Sequence, residues 1–464
     1  MSPLRHAPTT AVMAMRGNGW RSLMDKRTIM ASPHIAAAPE PALTPADMAQ
    51  LITNPRSFAE PQRVHDALAW LRANLPVSLA VTADFEPFWL ITKHRDVMEI
   101  ERQSGIFHNG DRSTVLIPEK MLRAVEHAVH SPHLTRSLVN MDGQEHRLFR
   151  SLTQSWFMPG NVKRLSDRIR SIARNHVDRM MRRGGECDFV SDVALHYPLH
   201  VVMEILGVPE EDEGRMLVLT QQLFGARDPE LARDAAAMGD PASGLAMFQA
   251  VLGDFHAYFN ALTAERRSSP RDDLASVIAN ARIDGKPISE RDANGYYVLV
   301  ATAGHDTTSA STAGAIWALA ERPELLRQVQ ADPSLIGGLV EEAIRWTTPV
   351  KHFMRTATQD YELRGQTIKA GDWVMLSYLS ANRDKDVFAA PFDFRIDRHP
   401  NGQVAFGYGA HLCLGQHLAK LEMRILLEEM LPRLKSLTIA GQPAWTQSSF
   451  VSGPKRLPIR FEAN

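Results

Sequence analysis

Two cysteines occur in the 464 residues, Cys187 and Cys413, and the second stands in a setting suited to chemistry. It belongs to the run Phe406-Gly407-Tyr408-Gly409-Ala410-His411-Leu412-Cys413-Leu414-Gly415, where a stretch of helical periodicity begins. The first amides of a helix lack internal partners and its dipole is positive there, so a sulfur at that point is drawn toward the thiolate. Gly407, Gly409 and Gly415 allow backbone angles or close approaches that a Cβ would block, as a flat macrocycle lying on the loop would require. Three roles compete for Cys413. A structural core cysteine, the role assigned to Cys187, gives no reason for the glycine frame. A nucleophile paired with His411 is the second, but two residues of separation do not fix the pair's geometry. A thiolate ligand to haem iron accounts for the glycines, the helix start and Phe406 together.

Two further groups of residues could do chemistry. Ala303-Gly304-His305-Asp306-Thr307-Thr308 interrupts the apolar run Tyr297-Val298-Leu299-Val300 with polar groups. A helical threonine can bond the carbonyl one turn back and distort the helix, and Gly304 lowers the cost of distortion. A polar stripe facing solvent would read the same way. Glu342-Ala343-Ile344-Arg345 sets a carboxylate and a guanidinium one turn apart on a helix face, which alone is an ordinary surface contact.

The elements that must position these groups are mostly helices. Asp142 is placed to cap a helix running to about Phe157 and ended by Met158-Pro159-Gly160. Residues 161–181, 190–206, 209–224 and 245–263 carry apolar side chains at a spacing near 3.6. Ser289 to about Leu319 reads as one exceptionally long helix, with Pro323 blocking its extension. Further helices are predicted over Ile336–Thr347 and about Cys413–Leu431. Strands are predicted as a hairpin near Ser78–Thr92, over 352–380 with a turn at Arg364-Gly365-Gln366, and in the 437–461 tail. Residues 104–140 read as a long loop with one short helix, and 382–412 as turns. The fold class is therefore mainly α with a smaller β-rich portion. Residues 1–40 are expected to be a disordered extension. Residues 41–464 are expected to be one domain, with a helical lobe over about 140–350 and 413–432 and a β-rich lobe over about 78–92, 352–380 and 437–461.

A 44% hydrophobic, 23% charged composition is that of a folded globular protein. The net charge of −1 supplies no field toward nucleic acid or an anionic membrane. No run reaches the roughly 18–20 apolar residues of a membrane helix, and two cysteines suit a reducing cytoplasm. Arg5, Arg16 and Arg21 in an acid-free opening weakly suggest a transit peptide, but a plain tail is the reading adopted.

The cysteine run matches the cytochrome P450 signature Phe-x-x-Gly-x-x-x-Cys-x-Gly at every fixed position, and residues 45–464 resemble that family. The likeness is strongest to bacterial α-terpineol-hydroxylating members, through Ala303–Ser309, Arg345–Lys351 and Phe406–Glu422. The resemblance implies a triangular-prism fold with haem b between the long central helix and the helix after the cysteine loop. It implies Cys413 as metal ligand, with Ala303, Gly304, Phe406, Gly407 and Gly415 against the haem. His146, Arg150, Arg355 and His411 would meet the propionates, and Asp306 with Thr307 would be the acid–alcohol pair supplying protons. Arg398, in the turn-rich segment, would join Glu342 and Arg345 in bracing the haem loop. The pocket would be formed by Val300, Thr302, Ala303, Val350, Phe353, Met354, Phe450, Val451 and the 104–140 loop. Any one of these apolar positions could equally be core. The implied activity is monooxygenation of a small hydrophobic substrate, a terpenoid or aromatic hydrocarbon, by dioxygen. No flavin or nicotinamide fingerprint is present and two cysteines cannot hold an iron–sulfur cluster. Electrons would therefore come from a ferredoxin and its NAD(P)H-dependent reductase, docking near Cys413 on a monomer. A peroxide-driven peroxygenase or a non-catalytic haem sensor would have no need of Asp306 and Thr307.

Overall fold

A computed structural model describes residues 43–226, 228–232 and 241–464, and the expected extension over 1–40 lies outside the described residues. The main sheet has five strands in the order Val77–Ala80, Phe88–Ile91, Trp373–Ser377, His352–Ala357, Phe107–His108. The first two pair antiparallel, as the hairpin near Ser78–Thr92 requires. Phe88–Ile91 and Trp373–Ser377 run parallel.

The strand period of two splits the sheet's side chains between two cores. Trp373 and Met375 pack with Met48, Leu68 and Phe88 beneath the helices Pro45–Thr53 and Pro61–Asn74. Val374 and Leu376 pack on the other side with Trp89, Ile91 and Ile100. The neighbouring strand follows suit, with Met354 opposite Met375 in the first core and Phe353 against the second. Met354 was expected to line the pocket and does not. The alternation that turns Phe353 and Arg355 toward the cavity turns Met354 away from it.

The helices enclose a third, larger core that includes Tyr197, Phe255, Tyr297, Ile316 and Leu426. Gln416–Met430 packs on Ser166–Met181 and Ile336–Thr347, and Asp306–Glu321 also packs on Ile336–Thr347. Several expected boundaries move. Met158-Pro159-Gly160 was expected to end a helix. The helical run does stop there, as Gly143–Thr153 extended by a tight turn over Gln154–Phe157, but Pro159 at once opens another helix, Pro159–Arg164, that was not expected. Proline suits the first turn of a helix as well as it ends one, because its missing N–H has no partner there in either case. The 161–181 segment is divided at Leu165, and Val190–Ala194 forms a π turn ahead of His196–Leu206. The helix after the cysteine begins at Gln416, so Cys413 lies just ahead of it. Most consequential, Ser289–Leu319 is not one helix but two, Glu290–Ala303 and Asp306–Glu321.

Candidate active site

The break in the central helix follows from its residues. Thr302 Oγ1 donates to Val298 O at 2.7 Å, and Thr307 Oγ1 donates to Ala303 O at 2.8 Å, the one-turn-back bonding expected of helical threonines. A Cβ at Gly304 would lie 2.8 Å from Val202 Cγ2, so only glycine lets the His196–Leu206 helix come this close. His305 is fully buried between helices, with Nε2 2.7 Å from Leu195 O and Nδ1 3.1 Å from Thr220 Oγ1.

Beside this break lies a cavity of about 1370 Å³. Val300, Thr302, Ala303, Gly304 and Thr307 form one wall, and Phe406, Gly407, His411, Cys413 and Gly415 form another. The volume exceeds the roughly 300–1,000 Å³ typical of a single small-ligand pocket. Val350, Phe353, Phe450 and Val451 also line it. A bridge pairs Val350 with Val451, and the Phe353 and Phe450 rings meet edge to face at 5.4 Å. Phe224, Met247 and Phe248 add a roof that the sequence reading missed. Apolar residues on amphipathic helices look alike whether they face a core or a cavity.

In the cysteine loop the backbone N–H of Cys413 donates to Phe406 O at 2.9 Å. Gly407 and Gly409 adopt φ of 70° and 69°, and a Cβ at Gly409 would come within 2.3 Å of Glu101 O. Gly415 differs: a Cβ there meets no protein atom within 4 Å, so nothing in the polypeptide itself demands glycine. Burial pushes the Cys413 thiol up, while the amides of Gly415 and Gln416 and the positive charge of Arg150 pull it down. The helix amides therefore act in the expected direction but burial outweighs them. A metal ion would deprotonate the sulfur outright.

Among the basic side chains that border the cavity are the four expected ones, His146, Arg150, Arg355 and His411. Arg150 donates to Leu412 O at 2.8 Å, tying the Gly143–Thr153 helix to the loop. Asp142 heads that helix without capping it. Its carboxylate accepts from the amides of Asn109 and Gly110 and lies 3.8 Å from His411 Nε2. The His146 and His411 rings are 4.1 Å apart. Burial, then His411 and Arg150, lower the His146 pKa to about 4, and its Nε2 is buried with no hydrogen-bond partner. Arg355 donates to Glu101 Oε1 at 3.1 Å, and the Tyr378 hydroxyl donates to the same oxygen at 2.5 Å. Glu101 was missed in the sequence, where it is one more acid on a charged helix.

The Glu342 and Arg345 side chains, far from being a surface pair, are both fully buried. Arg345 donates to the two Glu342 oxygens at 2.7 Å each, and Arg398 Nε adds a bond to Oε1 at 3.0 Å. Arg345 also donates to Asn382 O and Pro391 O, while Asn382 Oδ1 accepts from Val404 N just before the cysteine loop. Asp306 does not line the main cavity. Its side chain borders a second cavity of about 60 Å³ on another side of the helix.

The cytochrome P450 family model matches residues 106–461 of the chain. The chain belongs to the cytochrome P450 family. It is 47% identical to Cytochrome P450-terp of a Pseudomonas species over 423 residues, 90% of this chain and 98% of that one. It is 33% identical to a methyl-branched lipid omega-hydroxylase of Mycobacterium bovis, over 85% of this chain and 90% of that one. The crystal structure of CYP108D1 from Novosphingobium aromaticivorans superposes with a TM-score of 0.83 at 47% identity, covering 90% of this chain and 99% of that one. Mycobacterium marinum CYP268A2, solved with pseudoionone, gives 0.79 at 32% identity, with 88% and 97% covered. The fold is the P450 fold, the cofactor is haem b, and the protein is a monooxygenase, an oxidoreductase that uses dioxygen and a redox partner. Among the described residues no helix is long and apolar enough to cross a membrane.

The residues present fit haem. The cavity is lined by the thiol of Cys413, the unpartnered imidazole nitrogen of His146, and Arg150 and Arg355 for a dianionic edge. Gly415 leaves open the space a Cβ would fill.

Proposed function

We propose that this P450 hydroxylates a small hydrophobic terpenoid or aromatic hydrocarbon with electrons from a ferredoxin and its NAD(P)H-dependent reductase. Cys413 and Thr307 facing one cavity is the observation that carries this reading. Haem, when bound, supplies oxygen activation and insertion into a C–H bond. Cys413 would hold the haem iron through its sulfur, with the Phe406 carbonyl on the Cys413 amide and the Gly415 and Gln416 amides on the sulfur. Arg150, Arg355, His146 and His411 offer donors to the propionates, and Glu101 keeps Arg355 oriented. Thr307 donates its hydroxyl hydrogen to Ala303 O, so its oxygen is left to accept from a proton-bearing group at the cavity wall, whose proton Asp306 resupplies. The apolar wall of Val300, Val350, Phe353, Phe450 and Val451 favours a hydrocarbon-like ligand.

A spectral binding screen across terpenes and aromatic hydrocarbons, followed by turnover with and without ferredoxin, tests the proposal. The expected result is ligand-induced shifts with such compounds and NAD(P)H use that requires ferredoxin. Thr307→Ala should keep haem but divert reducing equivalents to peroxide. Product formation driven by peroxide alone, with no ferredoxin requirement, would favour a peroxygenase and overturn the proposal.

A further inference from the structure

His305 is a residue for which the mechanism above has no use, and its surroundings give it one. Among the described residues the only ion-pair partner of Asp306 within 4.0 Å is His305, whose Nδ1 lies 3.6 Å from Oδ2. That Oδ2 is buried with no hydrogen-bond partner. A carbonyl oxygen can only accept, so the 2.7 Å contact of Nε2 with Leu195 O requires a proton on Nε2. In a neutral ring Nδ1 is then a bare lone pair, and it faces a carboxylate oxygen that is also only an acceptor. The single hydroxyl hydrogen of Thr220 can go to Nδ1, 3.1 Å away, or to Leu217 O at 3.0 Å, and in either case Asp306 Oδ2 is left without a donor.

One proton between Nδ1 and Oδ2 removes the conflict, either as imidazolium with carboxylate or as neutral imidazole with carboxylic acid. The two states have equal total charge and differ by moving that proton from one atom to the other. Burial penalises the charge-separated form, and it raises the Asp306 carboxyl while His305 pulls it back down. On its other side the Asp306 carboxyl meets the cavity of about 60 Å³, walled by polar Gln221, Ser309, Thr446, Ser452 and Lys455. That is space for on the order of two waters. The charged groups around the pair are few. His196, exposed, approaches from the helix before Gly207, and Lys455 stands across the small cavity, paired with Asp228 and Glu230.

We propose that His305 is a positioning residue for proton delivery: its Nδ1, at ion-pair distance from Asp306 Oδ2, carries or receives the one proton of the pair and holds that carboxyl against the small side cavity, whose water replaces the proton when it is passed on. This rests on the reading of Asp306 as the acid that resupplies Thr307. Two substitutions separate the ring's two nitrogens. In His305→Gln the amide reaches toward Leu195 O but leaves Asp306 without a partner. In His305→Asn the amide nitrogen takes the place of Nδ1.

The test uses the haem-loaded protein and reads Asp306 directly, through the infrared carboxyl band that Asp306→Asn removes. In His305→Gln that band should persist to a pH higher by about one unit or more, a tenfold change in its acid constant. Peroxide released per NAD(P)H should rise several-fold, with haem content retained. His305→Asn should recover most of both. An Asp306 band that titrates at the same pH in wild type and His305→Gln overturns the proposal, as do glutamine and asparagine variants that leak equally. Unchanged coupling in Asp306→Asn would instead remove the acid from the mechanism, a failure of the underlying reading.

Discussion

Glu342→Gln isolates the buried charge cluster that holds the haem loop in place. The Glu342 oxygens accept from Arg345 Nε and Nη2, Arg398 Nε, Arg395 N and Asn401 Nδ2. With the carboxylate neutralised, two guanidiniums lose their counter-charge where Arg345 and Glu342 side chains have no exposure at all and Arg398 only 7%. Breaking one partner of a buried pair costs about 3–5 kcal/mol, because the remaining charge stays desolvated. Against a typical stability of about 5–15 kcal/mol, that is roughly a fifth or more of the total. Denaturant titration of haem-loaded wild type and variant, followed by tryptophan emission and by haem absorbance, measures it. Both signals should move together, since the Arg345 guanidinium binds Asn382 O and Asn382 in turn binds Val404 N. If the variant does not accumulate, Arg398→Met leaves the Arg345 pair intact and should cost about 1.5–3 kcal/mol for the charge-assisted bond to Glu342, with a smaller addition from its bonds to Ala389 O, Ala390 O and Asp393 O. A Glu342→Gln protein within 1 kcal/mol of wild type would refute the reasoning, because a buried charge cannot lose its partner so cheaply.

Met354→Ala should cost about 2–5 kcal/mol of stability and leave ligand dissociation constants within about twofold. Phe353→Ala, one residue away, should weaken spectral binding instead. Gly409→Ala should destabilise the loop by about 1–3 kcal/mol and lower haem content, since φ is 69° and the new Cβ would strike Glu101 O. Gly402→Ala, with open space around its Cβ, is the neutral control. His176 is buried, and burial, with Arg179 and His200, lowers its pKa to about 3. The unfolded chain, with an ordinary pKa near ~6.5, therefore binds more protons between those values, and stability falls as pH drops from about 6.5 toward 3. His176→Phe should flatten that acid limb in a pH series of melting temperatures, and an unaltered limb would show that the ring is not held neutral.

Much of the site was legible because its chemistry demands particular residues at fixed spacing. The glycines before Cys413 announced a loop, and the polar string at Ala303–Thr308 a local distortion within what read as one long helix. The extent of the break was not legible. A 3.6-residue period continues through Gly304-His305, and only the approach of Val202 and the burial of His305 interrupt it. Met354 was misplaced because a six-residue strand, His352–Ala357, buries both faces, so composition cannot say which side meets the cavity. Glu101 and the outward turn of Asp306 depend on contacts between segments remote in sequence. For the same reason the Glu342–Arg345 spacing looked superficial, and only the turns around Pro391 and Arg398 bury it.

The proposed bond between Cys413 sulfur and haem iron underlies the functional reading, and iron X-ray absorption tests it directly. The spectrum of haem-loaded wild type should contain one sulfur in the first coordination shell. Cys413→Ser should lose it, and Cys187→Ser should keep it, because Cys187 lies on the Glu186–Asp188 strand with its thiol pushed up to about 12 by burial. A sulfur shell that survives in Cys413→Ser, or a wild-type spectrum without one, would contradict the account.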